Sequence, residues 1–526
     1  MSPESSEYVV TAYGGDSPIQ RAIDAAHDDG GGTVRVPPGE YETGTLELRS
    51  NVTLHLSAGA VVRGSPAPRA YGAGWADDVP QRALVVARDA ENVAVTGRGT
   101  LDGNGTSFMD MDDVLEPHED HAVETVCHDA RQGDAWLDSS VTGDGPVTPH
   151  EDRPNRMVLF YRCENVLLRD VTLRNSPHWT LHLLGCDEVD VLGIDVRNEV
   201  TVPNTDGINP ELSRNVHVAD CTVVTGDDAV CLKAGDGFPI DGVTENVTVT
   251  NCTLSSRSSA VKFGSGTDHD IRNCTFQNLV ISGSNRGIGI QHRDAGTVEN
   301  VLFSDVVIET ELFTGNWWGK AEPVSVTAVP RRSGGDLGPI RDVRFSNVVA
   351  VGESGVLVYG SEESTIENVT FDGFDLRIVD SPKSGLVGGN LDLRPTSART
   401  SVVEHDLPAF YCRHVRDLDV RDLSVAWDRD VPDYHTEAVR VEAFEDVTLD
   451  GLEARQAGPT GVAVALRDGE TITVRDCRAS PGTETFLALD ETRDERLLAD
   501  NDFADADRAV RADETTFVET GNLLPR

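Results

Sequence analysis

The sequence predicts an all-β chain wound as a right-handed parallel β-helix, a solenoid with a short N-terminal α/β cap. Three observations predict it. A strand-like segment headed by Asn or Asp and then Val recurs along most of the chain, as in ENVAVTGRGTLDG, ENVLLRDVTLRN, RNVHVADCTVVTG, ENVTVTNCTLSS and ENVTFDGFDLR. Most neighbouring copies stand roughly 22–31 residues apart, the period of a coil built from several short strands. Each copy alternates apolar with polar residues and closes in a small turn, so its apolar face is buried only by stacking on the next coil. Parallel crossovers are almost always right-handed, which sets the expected hand. A β-propeller is the competing architecture, but its blades need longer antiparallel units.

The cap is expected over residues 1–80. Ser17 is placed to N-cap a helix that has Pro18 at its first position. Ile19, Ala22, Ile23 and Ala26 mark one face, and Gly30-Gly31-Gly32 ends it. Strand-like TVRV, PPGEY, TLEL and VTLHL follow, and the short helix is expected to plug the open end of the solenoid. The coils are expected over 81–526, with the Asn at each repeat start forming a side-chain ladder along the turns. Loop insertions interrupt the period near 104–155, 310–323 and 380–411. The first carries His118, His121, His128 and His150 at irregular spacing, which reads as a solvated loop rather than a metal site. The second carries Trp317 and Trp318, as either a lid over the core or a platform for a sugar face. Insertions in a solenoid gather on one side and wall a groove.

Composition narrows the function. The net charge of −44 repels nucleic acid, and the acids are spread along the chain rather than gathered for one cationic partner. Lysine occurs only at Lys233, Lys262, Lys320 and Lys383. Such a surface suits a salt-rich cytoplasm, where screening is short-ranged. The first residues show neither a basic n-region nor an apolar h-region, and no stretch is long enough to span a membrane, so the expectation is a cytoplasmic protein, monomeric or weakly oligomeric. The nine cysteines contain no CxxC pair. Cys163, Cys186, Cys221, Cys252 and Cys274 recur at similar repeat positions, as small core residues rather than disulfides or zinc ligands.

Two carboxylate clusters stand out, Asn204-Thr205-Asp206-Gly207 and Gly226-Asp227-Asp228, one coil apart. Coils stack at the inter-strand spacing of ~4.8 Å, so Asp206 should lie one rung from Asp227 and Asp228. Three crowded acids repel and separate their pKa values, which equips a site for acid–base hydrolysis. Each motif alone is as consistent with a turn as with catalysis; in register with the repeat they favour chemistry. In a regular strand Asp227 and Asp228 would face opposite ways, so both can serve only if the chain turns or bulges at Gly226.

Together with GGGTVRVPPGEY, RNSPHWTLHLL and GDDAVCLKAG, these clusters resemble the polygalacturonase family, glycoside hydrolase family 28. The resemblance covers most of the chain. It implies a right-handed parallel β-helix and inverting hydrolysis without cofactor or metal. It assigns Asp227 as general acid, and Asp206 and Asp228 as the pair that holds and deprotonates water. The chain departs from the family pattern twice. Ser258-Ser259-Ala260 stands where a Gly-His-Gly motif is expected, and Gly289 and Gln291 replace the Arg and Lys of the motif that grips a uronate carboxylate. Asn204, Lys233, Arg257, Lys262, Arg286, Gln291, Trp317 and Trp318 are the expected substrate-binding residues, with Arg293 a further cation nearby. The cations suit either an acidic sugar or pairing with neighbouring acids.

The leading function is an inverting glycoside hydrolase acting on pectin-derived oligosaccharides of galacturonide type, with exo-action expected. Rhamnogalacturonan or another pectic side chain is the first alternative. A β-helix polysaccharide lyase, which would need a calcium cage and a basic Arg or Lys, is the second, and a non-catalytic sugar-binding solenoid the third.

Overall fold

A computed structural model describes residues 6–72, 82–115, 143–512 and 517–525. His118, His121 and His128 lie outside the described residues. The chain divides into two compact units: Met1–Glu116, Gly145–Arg257 and His269–Cys274 form the first, and Pro117–Asp144, Ser258–Asp268 and Thr275–Arg526 the second. Each is built from coils of right-handed parallel β-helix.

In the first unit every coil contributes one strand to each of three parallel columns. One column runs through Gly32–Val36, Val52–Leu56, Glu91–Gly97, Glu164–Arg169, Asp187–Leu192, Arg214–Ala219 and Thr244–Thr250. A second runs from Gly39–Thr43 through Thr222–Thr225 to Thr253–Ser256. The third, which carries the candidate site, contains Arg156–Tyr161, Trp179–Leu184, Ile208–Glu211 and Val230–Ala234. Alternation decides which side chains go in: Val166, Leu168, Val189, Val191, Val216 and Val218 are all buried, while the residues between them face outward.

The helix Pro18–Asp28 buries Ile19, Ala22, Ile23 and Ala26, as its spacing predicts. Ser17 occupies the N-cap position but makes no side-chain cap, so Pro18 alone marks the helix start. The strands of the cap pair in parallel with the first coils, Leu46 opposite Val85 and Leu54 opposite Val95.

The second unit repeats the design with longer strands. Val298–Thr310, Ile340–Gly352, Ile366–Ile378 and Phe410–Trp427 stack in parallel register. Inside them Phe303, Phe345 and Phe371 stack face to face at 4.9 and 4.6 Å between ring centroids.

The turns explain the Asn that heads the repeats. Asn51, Asn92, Asn165, Asn215, Asn246 and Asn273 all adopt left-handed backbone, with φ between 55° and 64°. After Gly, Asn and Asp are the residues that tolerate that conformation best. Its amide also links coil to coil: Asn92 donates to Asn51 at 2.8 Å, Asn165 to Asn92 at 2.7 Å, and Asn246 to Asn215 at 3.0 Å. The adjoining position carries a column of alternating charge. In the first unit Arg214 pairs with Asp187 and Arg272 with Glu245; in the second Arg341 pairs with Glu299 and Arg416 with both Glu367 and Glu445. The eight described cysteines are buried, five of them at the repeat positions noted above. No helix among the described residues is long and apolar enough to cross a membrane.

Candidate active site

Backbone pairing puts the two acidic motifs side by side on adjacent coils. The Gly207 N–H donates to the Asp228 carbonyl at 2.8 Å and the Ile208 N–H to the Ala229 carbonyl at 2.9 Å. Carboxylate oxygens of Asp206 and Asp228 and the Cys231 sulfur all lie within 4.8 Å of one another. Both aspartates are buried, at 2% exposure each, whereas Asp227 is half-buried.

The geometric condition at Gly226 is met by a turn, the first of the two devices expected, rather than a bulge. Strand Thr222–Thr225 ends, and Gly226, Asp227 and Asp228 form the corner before Val230–Ala234. Gly226 is needed for close approach: a Cβ there would sit 2.4 Å from the Val202 carbonyl oxygen and 2.7 Å from that of Val200. Its N–H donates to Thr205 Oγ1 at 3.0 Å, which ties the two motifs together. The Asp227 peptide is held by the hydroxyls of Thr225 and Ser256, both donating to its carbonyl. Asp227 Oδ1 accepts the Asp228 N–H at 2.9 Å, which fixes the plane of the carboxyl group.

The crowding expected of three acids is relieved by Lys233. Its Nζ donates to Asp206 Oδ2 and to Asn209 Oδ1, both at 2.7 Å, and lies 3.9 Å from the Trp179 ring centre. Burial opposes its charge, but Asp206, then Cys231 and Asp228, outweigh burial and hold the ammonium above its ordinary range. Lys233 follows in register: Glu211 pairs with it across the column, as Leu184 does with Glu211.

Beneath this pair lies a second buried group. Arg156 Nε donates to His182 Nδ1 at 2.9 Å, so the ring proton sits on Nε2, which contacts Glu211 Oε2 at 2.9 Å. The Arg156 guanidinium lies 3.8 Å from the Trp179 ring centre. Burial keeps His182 neutral, with its pKa lowered to about 4. The same burial lowers Arg156 to about 10 against the pull of Glu211 and Asp206. Arg153 reaches back to the acidic motif, donating to Asn204 Oδ1 at 2.7 Å and to the carbonyls of Pro177 and Pro203. Burial lowers it to about 10 and Asp227 opposes the shift, which places a cation in the field of the half-exposed acid.

Of the other residues singled out in the sequence, Asn204 is thus an anchor for Arg153. Arg257 sits one coil beyond the acidic corner, its N–H on the Thr225 carbonyl at 3.3 Å. In the second unit Lys262 is buried with Nζ 4.6 Å from the Trp318 ring centre, and Trp318 is half-buried. Trp317 is packed inward and donates from Nε1 to the Asp144 carbonyl at 2.6 Å. Arg286 is fully buried and donates to Glu322 at 3.1 Å. Gln291 is buried at 1% exposure, and its amide makes no hydrogen bond among the described residues. Arg293 is committed to the carbonyls of His292, Thr327, Leu393, Arg394 and Pro395. That commitment clamps the 380–411 insertion onto its coil. Asp392 joins the two insertions of this unit, accepting from Gly319 N–H at 2.6 Å and from Arg394 at 2.8 Å.

Arg153, Arg156, Trp179, His182 and Glu211 were not singled out in the sequence. A signal existed in HWTLHLL, where a Trp and a His interrupt an otherwise apolar strand; Arg153 and Glu211 have none without the coil register.

The sequence model of the glycosyl hydrolases family 28 matches residues 31–385, well over half of the 526. The chain belongs to that family. Among curated relatives, this family 28 chain is 27% identical to a probable polygalacturonase of Vitis vinifera, over 56% of the chain and 57% of the relative. It is 28% identical to the exo-poly-alpha-D-galacturonosidase of Dickeya chrysanthemi, over 55% of the chain and 51% of the relative. The chain therefore spans little more than half the length of these two relatives. Among solved structures, the hyperthermoactive exopolygalacturonase of Thermotoga maritima superposes with a TM-score of 0.58 at 23% identity, covering 80% of this chain and 92% of that one. That likeness establishes the β-helix fold of the family 28 chain.

Proposed function

We propose that this chain is an inverting glycoside hydrolase that removes sugars from the ends of galacturonic-acid-containing oligosaccharides. The observation that carries the reading is the Asp206–Asp228 pair, buried and adjacent on neighbouring coils, with Asp227 turned toward solvent at the same corner. Inversion needs an acid on one side of the scissile bond and a base that holds water on the other. Asp227 donates its proton to the leaving oxygen. Asp206 and Asp228 hold the water and take its proton as it attacks the anomeric carbon. Lys233 keeps Asp206 aimed and charged, and Arg153 offers positive charge beside Asp227. Action from chain ends is supported by the likeness to the Dickeya relative, whose name states an exo activity.

Membership of a hydrolase family weighs against the lyase alternative. A rhamnogalacturonan-type or other pectic linkage is favoured over plain homogalacturonan by one observation: Gln291, at the place of a carboxylate-gripping Lys, is buried and uncharged.

The test is proton NMR of fresh digests of galacturonide and rhamnogalacturonan oligosaccharides, read early for anomeric configuration. A single sugar released with inverted configuration is expected. Asp227→Asn should lower turnover by about 10²–10⁴-fold while leaving the melting temperature unchanged. Retained configuration, or an active Asp227→Asn chain, would overturn the assignment.

A further inference from the structure

The second unit contains a cavity of about 630 Å³ between Arg429 and Arg511, a size that suits a small ligand. It uses none of the residues of the acidic site. Three guanidinium groups line it, Arg429, Arg467 and Arg511, against two acids, Asp433 and Glu437. That ratio inverts the chain's own, which has 89 acids to 45 bases. The cations are only loosely committed. Arg467 shares Glu437, Glu442 and Asp490 at 3.4–3.6 Å, and Arg511 reaches Asp490 at 3.4 Å. Arg429 is exposed and makes no ion pair among the described residues.

The decisive group is His435, which lines the cavity and is only 4% exposed. Among the described residues neither of its ring nitrogens makes a hydrogen bond of good geometry, the Leu407 backbone being the polar group that approaches the ring. Buried polar atoms are nearly always satisfied, and one that is not calls for a ligand or water. A neutral imidazole offers one donor and one acceptor, the complement of a sugar hydroxyl. Pro432, Pro459 and Val462 also line the cavity and supply apolar surface for a pyranose face.

We infer that this cavity is a second, non-catalytic site for an acidic sugar, with the arginines taking the carboxylate and His435 a ring hydroxyl. The choice of a uronate over other anionic sugars rests on the function proposed above.

The test uses the full chain carrying Asp227→Asn, titrated calorimetrically with digalacturonate at constant ionic strength. Two binding events are expected, one of which weakens by about tenfold or more when Arg429→Glu is added. In the otherwise unaltered enzyme, Arg429→Glu should leave turnover of a short substrate unchanged. Filling the mouth with Pro459→Trp should abolish the same event. A single event, or two that ignore both substitutions, overturns the proposal. So does equal binding of neutral galactobiose, or equal competition by inorganic phosphate, which would mark a general anion site. If the unaltered enzyme hydrolyses galacturonides but shows no Arg429-sensitive event, the cavity proposal alone falls. If it hydrolyses none yet shows that event, the cavity stands and the proposed reaction falls.

Discussion

Lys233 is where stability and chemistry meet on one side chain. It is a buried ammonium on a buried carboxylate, so removing it strands the Asp206 charge. Lys233→Met should cost about 3–5 kcal/mol, measured by denaturant unfolding, and abolish measurable turnover. The double variant Lys233→Met/Asp206→Asn should regain most of the stability but none of the activity; recovery of both would mean that the pair only holds the fold. His182, His292 and His435 give the molecule an acid limit. Burial lowers each to about 4, from an ordinary 6.5. Between those values the unfolded chain binds protons that the folded chain refuses. Stability should therefore fall as pH drops from 6.5 to 4, by up to about 3 kcal/mol per histidine, and level off below that. A melting temperature that stays flat from pH 7 to 4.5 would contradict this. At this scale the acids were legible because Asp206, Asp227 and Asp228 sit in short motifs with turn residues beside them. Arg156 and Glu211 were not. Each looks like an ordinary surface charge until the register places it beside His182.

At the level of the coil, the repeated Asn does two jobs, and they separate experimentally. Asn246→Gly keeps the left-handed backbone and loses the amide link; Asn246→Ala loses both. The alanine variant should be less stable than the glycine one by roughly 1–2 kcal/mol, read from urea midpoints. Equal midpoints would assign the Asn wholly to its ladder. The repeat was legible because one position in each coil must satisfy both demands, and few residues can. The turn expected at Gly226 is there, and packing adds a second demand on the glycine. Sequence suggests freedom of φ for any glycine, and only packing reveals that the Val200 and Val202 carbonyls leave no room for a Cβ. Trp317 and Trp318 could not be told apart in sequence either. One turns inward to a backbone carbonyl and the other covers Lys262, a difference set by where residues distant in sequence fold back.

Across the whole molecule the governing quantity is the charge of −44. The alternating columns of Arg with Asp or Glu spend many of the scarce cations on exposed pairs, each worth no more than about 1 kcal/mol. The unpaired acids dominate, and their repulsion falls as the screening length shrinks. The melting temperature should therefore climb steadily from dilute buffer into molar KCl, whereas a neutral osmolyte of equal osmolality should do less. A melting temperature indifferent to KCl would refute the salt-rich setting. A last consequence follows from where the reacting groups sit. Asp206, Asp227, Asp228 and Lys233 all belong to two successive coils, and each coil of a solenoid leans only on its neighbours. Descendants of this gene can thus gain, lose or duplicate whole turns elsewhere without displacing the chemistry, so that overall length drifts freely over generations while one short stretch is held fixed by selection.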